Sequence, residues 1–357
     1  MGLKRRWMAW RNRTLADPAM QRRLAAFPLT RPIARRRAAE LFDLVAGFTY
    51  SQILRACVES GLLELLALGP QSLATIAKTT DLSEEASLRL VRGAAALDLV
   101  EDIDGQWTLG QQGAALIGNP GAQAMIRHHH LLYADLADPM ALLRADRAGA
   151  TALSSFWTYS DANADASAYS QLMAASQASV AEQLLDAFDV DALPSLLDVG
   201  GGHGAFAAAA LQRAPSLRLG VFDLPPVIEG MADGPRNRVA LHPGDFFRDP
   251  LPEGYGAASL VRILHDHDDA PAAALLRRIR DALPARGTLL IAEPMSETRC
   301  APRMGDAYFG FYLWAMGSGR PRTIEEIGGM IEEAGFSSWK EVRTNQPMIC
   351  RLIVATA

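Results

Sequence analysis

Cysteine is nearly missing from this chain: Cys57, Cys300 and Cys350 are the only three in 357 residues. They are widely spaced, odd in number and lack a CxxC pair, which excludes a disulfide framework and a cysteine-rich zinc site and leaves buried, reduced thiols. An apolar run of about eighteen residues, the length a membrane-spanning helix needs, is also lacking. The basic opening Lys4-Arg5-Arg6-Trp7-Met8-Ala9-Trp10-Arg11 is not followed by the apolar segment of a secretory signal, so a cytoplasmic location is expected. Acidic residues are scarce at the start: within residues 1–40 only Asp17 and Glu40 oppose eleven Lys and Arg, a net of +9 in a chain of net −5. Such an arm, carrying Trp7 and Trp10, suits peripheral contact with an anionic membrane surface; a solvated tail is the alternative.

The length allows two domains, each with its own core. After the arm of residues 1–40, residues 41–120 read as helices with short breaks. Ser72 to Ala77, a turn at Thr80-Asp81-Leu82-Ser83, and Glu84 to Leu97 form a helix-turn-helix by their three- and four-residue apolar spacing. Leu99 to Asp102 and Trp107 to Leu109 then form a short hairpin, the wing of a winged helix. Many winged helices bind DNA, but residues 41–120 carry a net of −6, opposite to what a phosphate backbone attracts. A DNA-binding regulator stays a rival class, yet dimerisation is favoured and no nucleic-acid partner is expected. Residues 121–190 read as linker helices that contribute to a substrate pocket.

Residues 191–357 alternate apolar strands with amphipathic helices, the pattern of a doubly wound, mostly parallel α/β sheet. Strands are expected at Leu196–Val199, Leu217–Asp223, Val239–Leu241, Ala258–Leu264 and Thr288–Ala292, with a closing pair near Trp339–Arg343 and Cys350–Ala355. The first breaks into Asp198-Val199-Gly200-Gly201-Gly202-His203-Gly204. A strand turning sharply into a helix through glycines lets a nucleotide-type cofactor approach the backbone. The third glycine comes one place earlier than in the dinucleotide fingerprint. Asp223 ends the next strand, where a carboxylate can accept ribose hydroxyls, and Asp245 follows the third, with Phe246 beside it suited to an adenine face.

Beyond the fourth strand lies Ile263-Leu264-His265-Asp266-His267-Asp268-Asp269. His265 is the candidate general base, and Glu293, after the fifth strand, is expected to hydrogen-bond its imidazole. A mere strand-end cap is the alternative role for His265. Neither the 265–269 cluster nor His128-His129-His130 reads as a metal site, since successive side chains diverge.

The D-x-G-x-G-x-G loop resembles motif I of S-adenosylmethionine-dependent methyltransferases. Together with Phe222-Asp223-Leu224-Pro225, Gly244-Asp245-Phe246-Phe247, Leu264-His265-Asp266 and Arg322-Thr323, it makes residues 40–357 similar to the homodimeric winged-helix O-methyltransferases. Phe42 to Phe48, Tyr50-Ser51-Gln52 and Val261 to Asp268 look like the bacterial carotenoid branch of that family, which acts on hydroxyneurosporene or demethylspheroidene. The resemblance implies a Rossmann-like class I methyltransferase domain behind an N-terminal winged-helix dimerisation domain, S-adenosyl-L-methionine as cofactor, a tertiary hydroxyl on a polyene as acceptor, His265 as base and no metal. A phenolic or polyketide aromatic is the alternative acceptor. Asp198, Gly200, Gly202, Gly204, Asp223, Leu224, Asp245, Phe246 and Arg262 are the expected cofactor contacts. Two departures stand out. His267 occupies a place where plant members carry Trp, and Pro321 one where they carry a second glutamate. Phe156, Trp157, Tyr169, Met173, Phe309, Tyr312 and Met316 are expected to line an apolar acceptor tunnel, fit for a lipid.

Overall fold

The structure is a computed structural model that describes residues 2–144, 150–156, 165–231 and 233–357, with the backbone alone at 165–175. The chain divides into two compact units at Gly118.

In the first unit the basic stretch is helical, as Leu3–Ala16 and Pro18–Ala26, and neither helix buries a residue. Asp17 caps the second by accepting from the Ala19 N–H at 2.9 Å, with Pro18 at its first turn. The expected boundary at residue 40 falls inside a 29-residue helix, Arg31–Glu59, which buries only Cys57 and Val58. Helices Leu73–Thr80 and Glu84–Ala95 are capped by Ser72 and Ser83. The wing follows as β1 (Val100–Ile103) and β2 (Gln106–Leu109), joined by Asp104-Gly105 with both residues at positive φ, the two-residue turn whose twist matches a hairpin. Leu62, Leu66, Ile76, Val91 and Trp107 form the small core of this winged helix.

The second unit opens with helices Pro120–Asp135, Pro139–Arg144, Ala152–Phe156 and Asp165–Ala187. Its strands are β3 (Ser195–Val199), β4 (Arg218–Asp223), β5 (Ala240–Pro243), β6 (Ala257–Val261), β7 (Thr288–Glu293), β8 (Ser338–Val342) and β9 (Arg351–Thr356). They form one sheet in the order β5-β4-β3-β6-β7-β9-β8, parallel except for β9, which is antiparallel to both neighbours. β3 and β6 are buried at every residue, as central parallel strands covered on both faces must be. One face packs on Leu275, Leu276 and Ile279 of helix Asp269–Ala282 and Ile327 and Ile331 of helix Ile324–Glu333. The other packs on Val180 and Leu184 of helix Asp165–Ala187 and Phe206 and Ala210 of helix Ala205–Arg213. The strand order reverses between β3 and β6, so a crevice opens there beyond their carboxyl ends. Among the described residues no helix is long and apolar enough to cross a membrane.

Candidate active site

β3, β4 and β5 deliver acidic residues to one edge of the sheet: Asp198 just before the end of β3, Asp223 at the end of β4, and Asp245 two residues past β5. Between β3 and helix Ala205–Arg213 the chain turns through Gly200, Gly202 and Gly204 at φ of +72°, +57° and +80°, left-handed backbone that penalises any residue with a Cβ. The turn is tied to β4, because the N–H groups of Gly202 and Leu224 donate to Asp223 Oδ2 and Oδ1, each at 2.7 Å. Each carboxylate oxygen keeps a second lone pair, so Asp223 sets the loop and can still accept two hydroxyls of a bound sugar. Burial holds its carboxyl above the ordinary value, against those two N–H bonds and the nearby His203. A Cβ on Gly202 would meet nothing within 4 Å, and one on Gly200 would lie 3.5 Å from Phe246. The loop thus offers an open side, with an aromatic ring close by.

Asp198 lies beneath this loop. Its Oδ1 accepts from the Ser259 hydroxyl at 2.7 Å while the buried Oδ2 has no partner. Burial pushes the carboxyl up to about 7, Ser259 opposing and Asp223 adding to the shift. Asp245 instead serves its own turn, accepting from the Phe247 N–H at 2.8 Å and standing 3.4 Å from Arg248 Nε.

The fourth parallel strand is shorter than the apolar pattern suggests. β6 stops at Val261 because Arg262 takes φ +59° and its N–H donates to the Ala292 carbonyl at 2.8 Å. Leu264–Asp266 then form a single 3-10 turn. His265 is 3% exposed on that turn. Its Nε2 lies 3.1 Å from Asp266 Oδ1, whereas Nδ1 is buried without a partner. The expected contact between Glu293 and the imidazole does not form. Glu293 ends β7 directly under the turn, where its Oε2 accepts from the main-chain N–H of His265 at 3.2 Å and Oε1 stays unpartnered. Burial alone would depress the imidazole, but Asp266 and Glu293 together outweigh it and Arg262, so His265 is held above the ordinary histidine value. Burial raises the Glu293 carboxyl despite the pull of His265.

Arg262, expected beside the cofactor, sends its guanidinium to Ser176 Oγ at 2.8 Å on helix Asp165–Ala187. Its charge acts on Tyr308 as well as on His265 and Asp266. The Phe309 ring lies 5.9 Å from the His265 ring. Tyr312 is buried with Leu132, Leu153 and Leu313, and Phe309 and Met316 pack against this cluster. Phe156 lies 4.6 Å from the His128 ring. Trp157 and the side chains of Tyr169 and Met173 lie outside the described residues.

Several contributors were not singled out by sequence reasoning. Asp266, not Glu293, meets the imidazole, and its adjacency to His265 was the available signal. Two histidines of the 128–130 run pair with tyrosines: His128 Nε2 with Tyr312 Oη at 2.9 Å and His129 Nε2 with Tyr308 Oη at 2.6 Å. Burial pushes both histidines down to about 4, so they are neutral near pH 7. No local pattern announces partners nearly two hundred residues away. Ser259 is a further contributor of this kind, reaching Asp198 from sixty-one residues away, whereas Arg322 stood in the Arg322-Thr323 motif but its hold on the His265 turn did not show. Among the described residues, no three His, Cys, Asp or Glu side chains gather as a metal site.

The O-methyltransferase domain family matches residues 133–337. The chain is 42% identical to the demethylspheroidene O-methyltransferase of Cereibacter sphaeroides over 92% of its own length and 89% of that protein, and 42% identical to that of Rhodobacter capsulatus over 92% and 84%. Human N-acetylserotonin methyltransferase, solved in complex with S-adenosylmethionine, superimposes with a TM-score of 0.74 at 25% identity, covering 90% of this chain and 97% of the other. The chain therefore belongs to the O-methyltransferase domain family, whose members draw their methyl group from S-adenosylmethionine.

Proposed function

We propose that this protein methylates the tertiary hydroxyl of a hydroxylated carotenoid, with His265 as general base. The observation that carries the substrate class is the 42% identity, over nearly the whole of both chains, to two demethylspheroidene O-methyltransferases. An apolar cluster beside His265, containing Phe309, Tyr312 and Met316, supports an acceptor with a long hydrocarbon body.

The residues at the sheet edge fit the methyl donor. The glycine cradle has an open side at Gly202, Asp223 retains free lone pairs, Phe246 stands by for a purine, and Asp198 Oδ2 is a buried acceptor lacking a donor. When bound, S-adenosylmethionine supplies an electrophilic methyl carbon. The protein aligns an acceptor oxygen with it and removes one proton. Nε2 of His265 is held by Asp266, leaving Nδ1 to receive that proton, and Asp266 stabilises the imidazolium. A tertiary alcohol is far less acidic than imidazolium, so proton removal accompanies methyl transfer rather than preceding it.

Two partner surfaces belong to the same reading. Leu41, Phe42, Leu44, Val45 and Phe48 of helix Arg31–Glu59 are all more than 60% exposed, an apolar face that a second copy of the chain would cover in a homodimer. The basic helices Leu3–Ala16 and Pro18–Ala26, with exposed Leu3, Trp7 and Trp10, suit peripheral contact with the bilayer in which such a substrate dissolves.

The test is mass spectrometry of a detergent-dispersed hydroxycarotenoid after incubation with enzyme and S-adenosylmethionine, beside a phenolic acceptor. Replacement of one hydroxyl hydrogen by methyl on the carotenoid is expected. Methylation of the phenol alone would assign the chain to aromatic acceptors.

A further inference from the structure

The turn that carries His265 is gripped along its main chain by one short segment. Ser318 Oγ donates to the Asp266 carbonyl at 2.7 Å and the Arg320 N–H donates to the His265 carbonyl at 2.9 Å. Arg322 is fully buried, and its guanidinium donates to the carbonyls of Leu264 and His267, each at 2.7 Å, and to Asp269 Oδ1. Four consecutive carbonyls, Leu264 to His267, are thus held by residues 318–322. Gly319 lies so close that an added Cβ would overlap the His265 carbonyl oxygen, and its φ is +82°. A free 3-10 turn of three residues has weak hydrogen bonds and little stiffness of its own, so its geometry is set by what holds it.

We propose that residues 318–322 are a splint that positions the His265 imidazole, with Ser318 and Arg322 as positioning residues for methyl transfer. The segment directly follows helix Gly310–Met316, which supplies Tyr312 and Met316 to the acceptor cluster. Only Gly317 separates Met316 of the acceptor cluster from Ser318, which grips the base turn. The inference rests on the reading of His265 as base.

Ser318→Ala removes one grip with little risk to folding, and Arg322→Lys keeps a charge while losing the fork that spans two carbonyls. Both variants, Ser318→Thr and His265→Ala are compared for turnover, acceptor KM, donor affinity by calorimetry, and titration of the His265 ring by NMR. The groups facing that ring are Asp266, Glu293 and Arg262, with Phe309 on the acceptor side. Expected for Ser318→Ala and Arg322→Lys is a fall in kcat of about tenfold or more, unchanged donor affinity, a displaced His265 titration, and rescue by Ser318→Thr. Parental turnover and an unmoved titration in both variants would overturn the splint while His265→Ala is inactive. Should His265→Ala stay active, the base assignment fails instead, and the titration of the Ser318→Ala protein still decides whether the segment positions the ring.

Discussion

Asp198 is a carboxyl whose buried setting favours the proton, with Oδ2 unpartnered and its pKa pushed up to about 7. A folded-state value above the unfolded one means that its stabilising contribution is complete at acid pH and is lost as pH rises through about 7. Asp198→Asn should therefore raise the melting temperature of the donor-free protein at pH 8 more than at pH 5, as thermal denaturation at the two pH values would reveal. His265 has the opposite functional sense, since the base proposed for it must be neutral to act. Held above the ordinary histidine value by Asp266 and Glu293, it places the rising limb of activity on the alkaline side of free imidazole. Asp266→Asn removes the larger of the two supports, so the limb of a kcat profile should move toward acid. His265→Ala should lower turnover roughly a hundredfold or more with donor affinity little changed in calorimetry.

At the scale of the element, the loop after β3 separates two costs that glycine avoids. Gly202 has φ +57° and open space around its missing Cβ, whereas Gly200 has φ +72° and would bring a Cβ to 2.5 Å from Ile263 Cδ1. Gly202→Ala should cost stability only the left-handed strain of about 1–2 kcal/mol, yet put a methyl group where the donor is proposed to approach and weaken its affinity by about tenfold or more. Gly200→Ala should destabilise further by forcing Ile263 to move. Denaturant unfolding and calorimetry on the two variants distinguish these outcomes; equal stability loss with unaffected donor binding would remove the loop from the cofactor site. Asp223 belongs to the same element, since its carboxylate ties β4 to the glycine turn through Gly202.

For the whole molecule the prediction concerns surfaces rather than the site. A helix of 29 residues that buries only two of its own exposes Leu41, Phe42, Leu44, Val45 and Phe48, the apolar face proposed to be covered by a second copy. Phe48→Glu together with Leu44→Asp should convert a dimer into monomer in sedimentation velocity; a monomeric parent protein would refute the dimer outright. Binding of the basic helices to vesicles rich in anionic lipid should weaken steeply with salt and be absent for neutral vesicles, because exposed charges are screened within about 10 Å at 0.1 M salt.

Order along the chain decides how much could be read in advance. The doubly wound sheet, the winged helix, the glycine turn and the carboxylates of Asp198, Asp223 and Asp245 were legible because each depends on neighbours a few residues away: apolar period, turn chemistry, strand ends. The end of β6 was missed, since Ile263 and Leu264 continue an apolar run that the positive φ of Arg262 interrupts. Equally hidden was how distant residues hold the His265 turn. Glu293 meets its N–H instead of its ring because β6 and β7 align Val261 with Ala292, and Ser318 and Arg322 reach the turn from more than fifty residues away. By itself, then, the order of amino acids determined which groups stand at the sheet edge, a matter of local backbone preference and hydrophobic period. Only tertiary structure decided which of those groups touch, because hydrogen bonds between distant segments depend on strand register and packing, which no local pattern encodes.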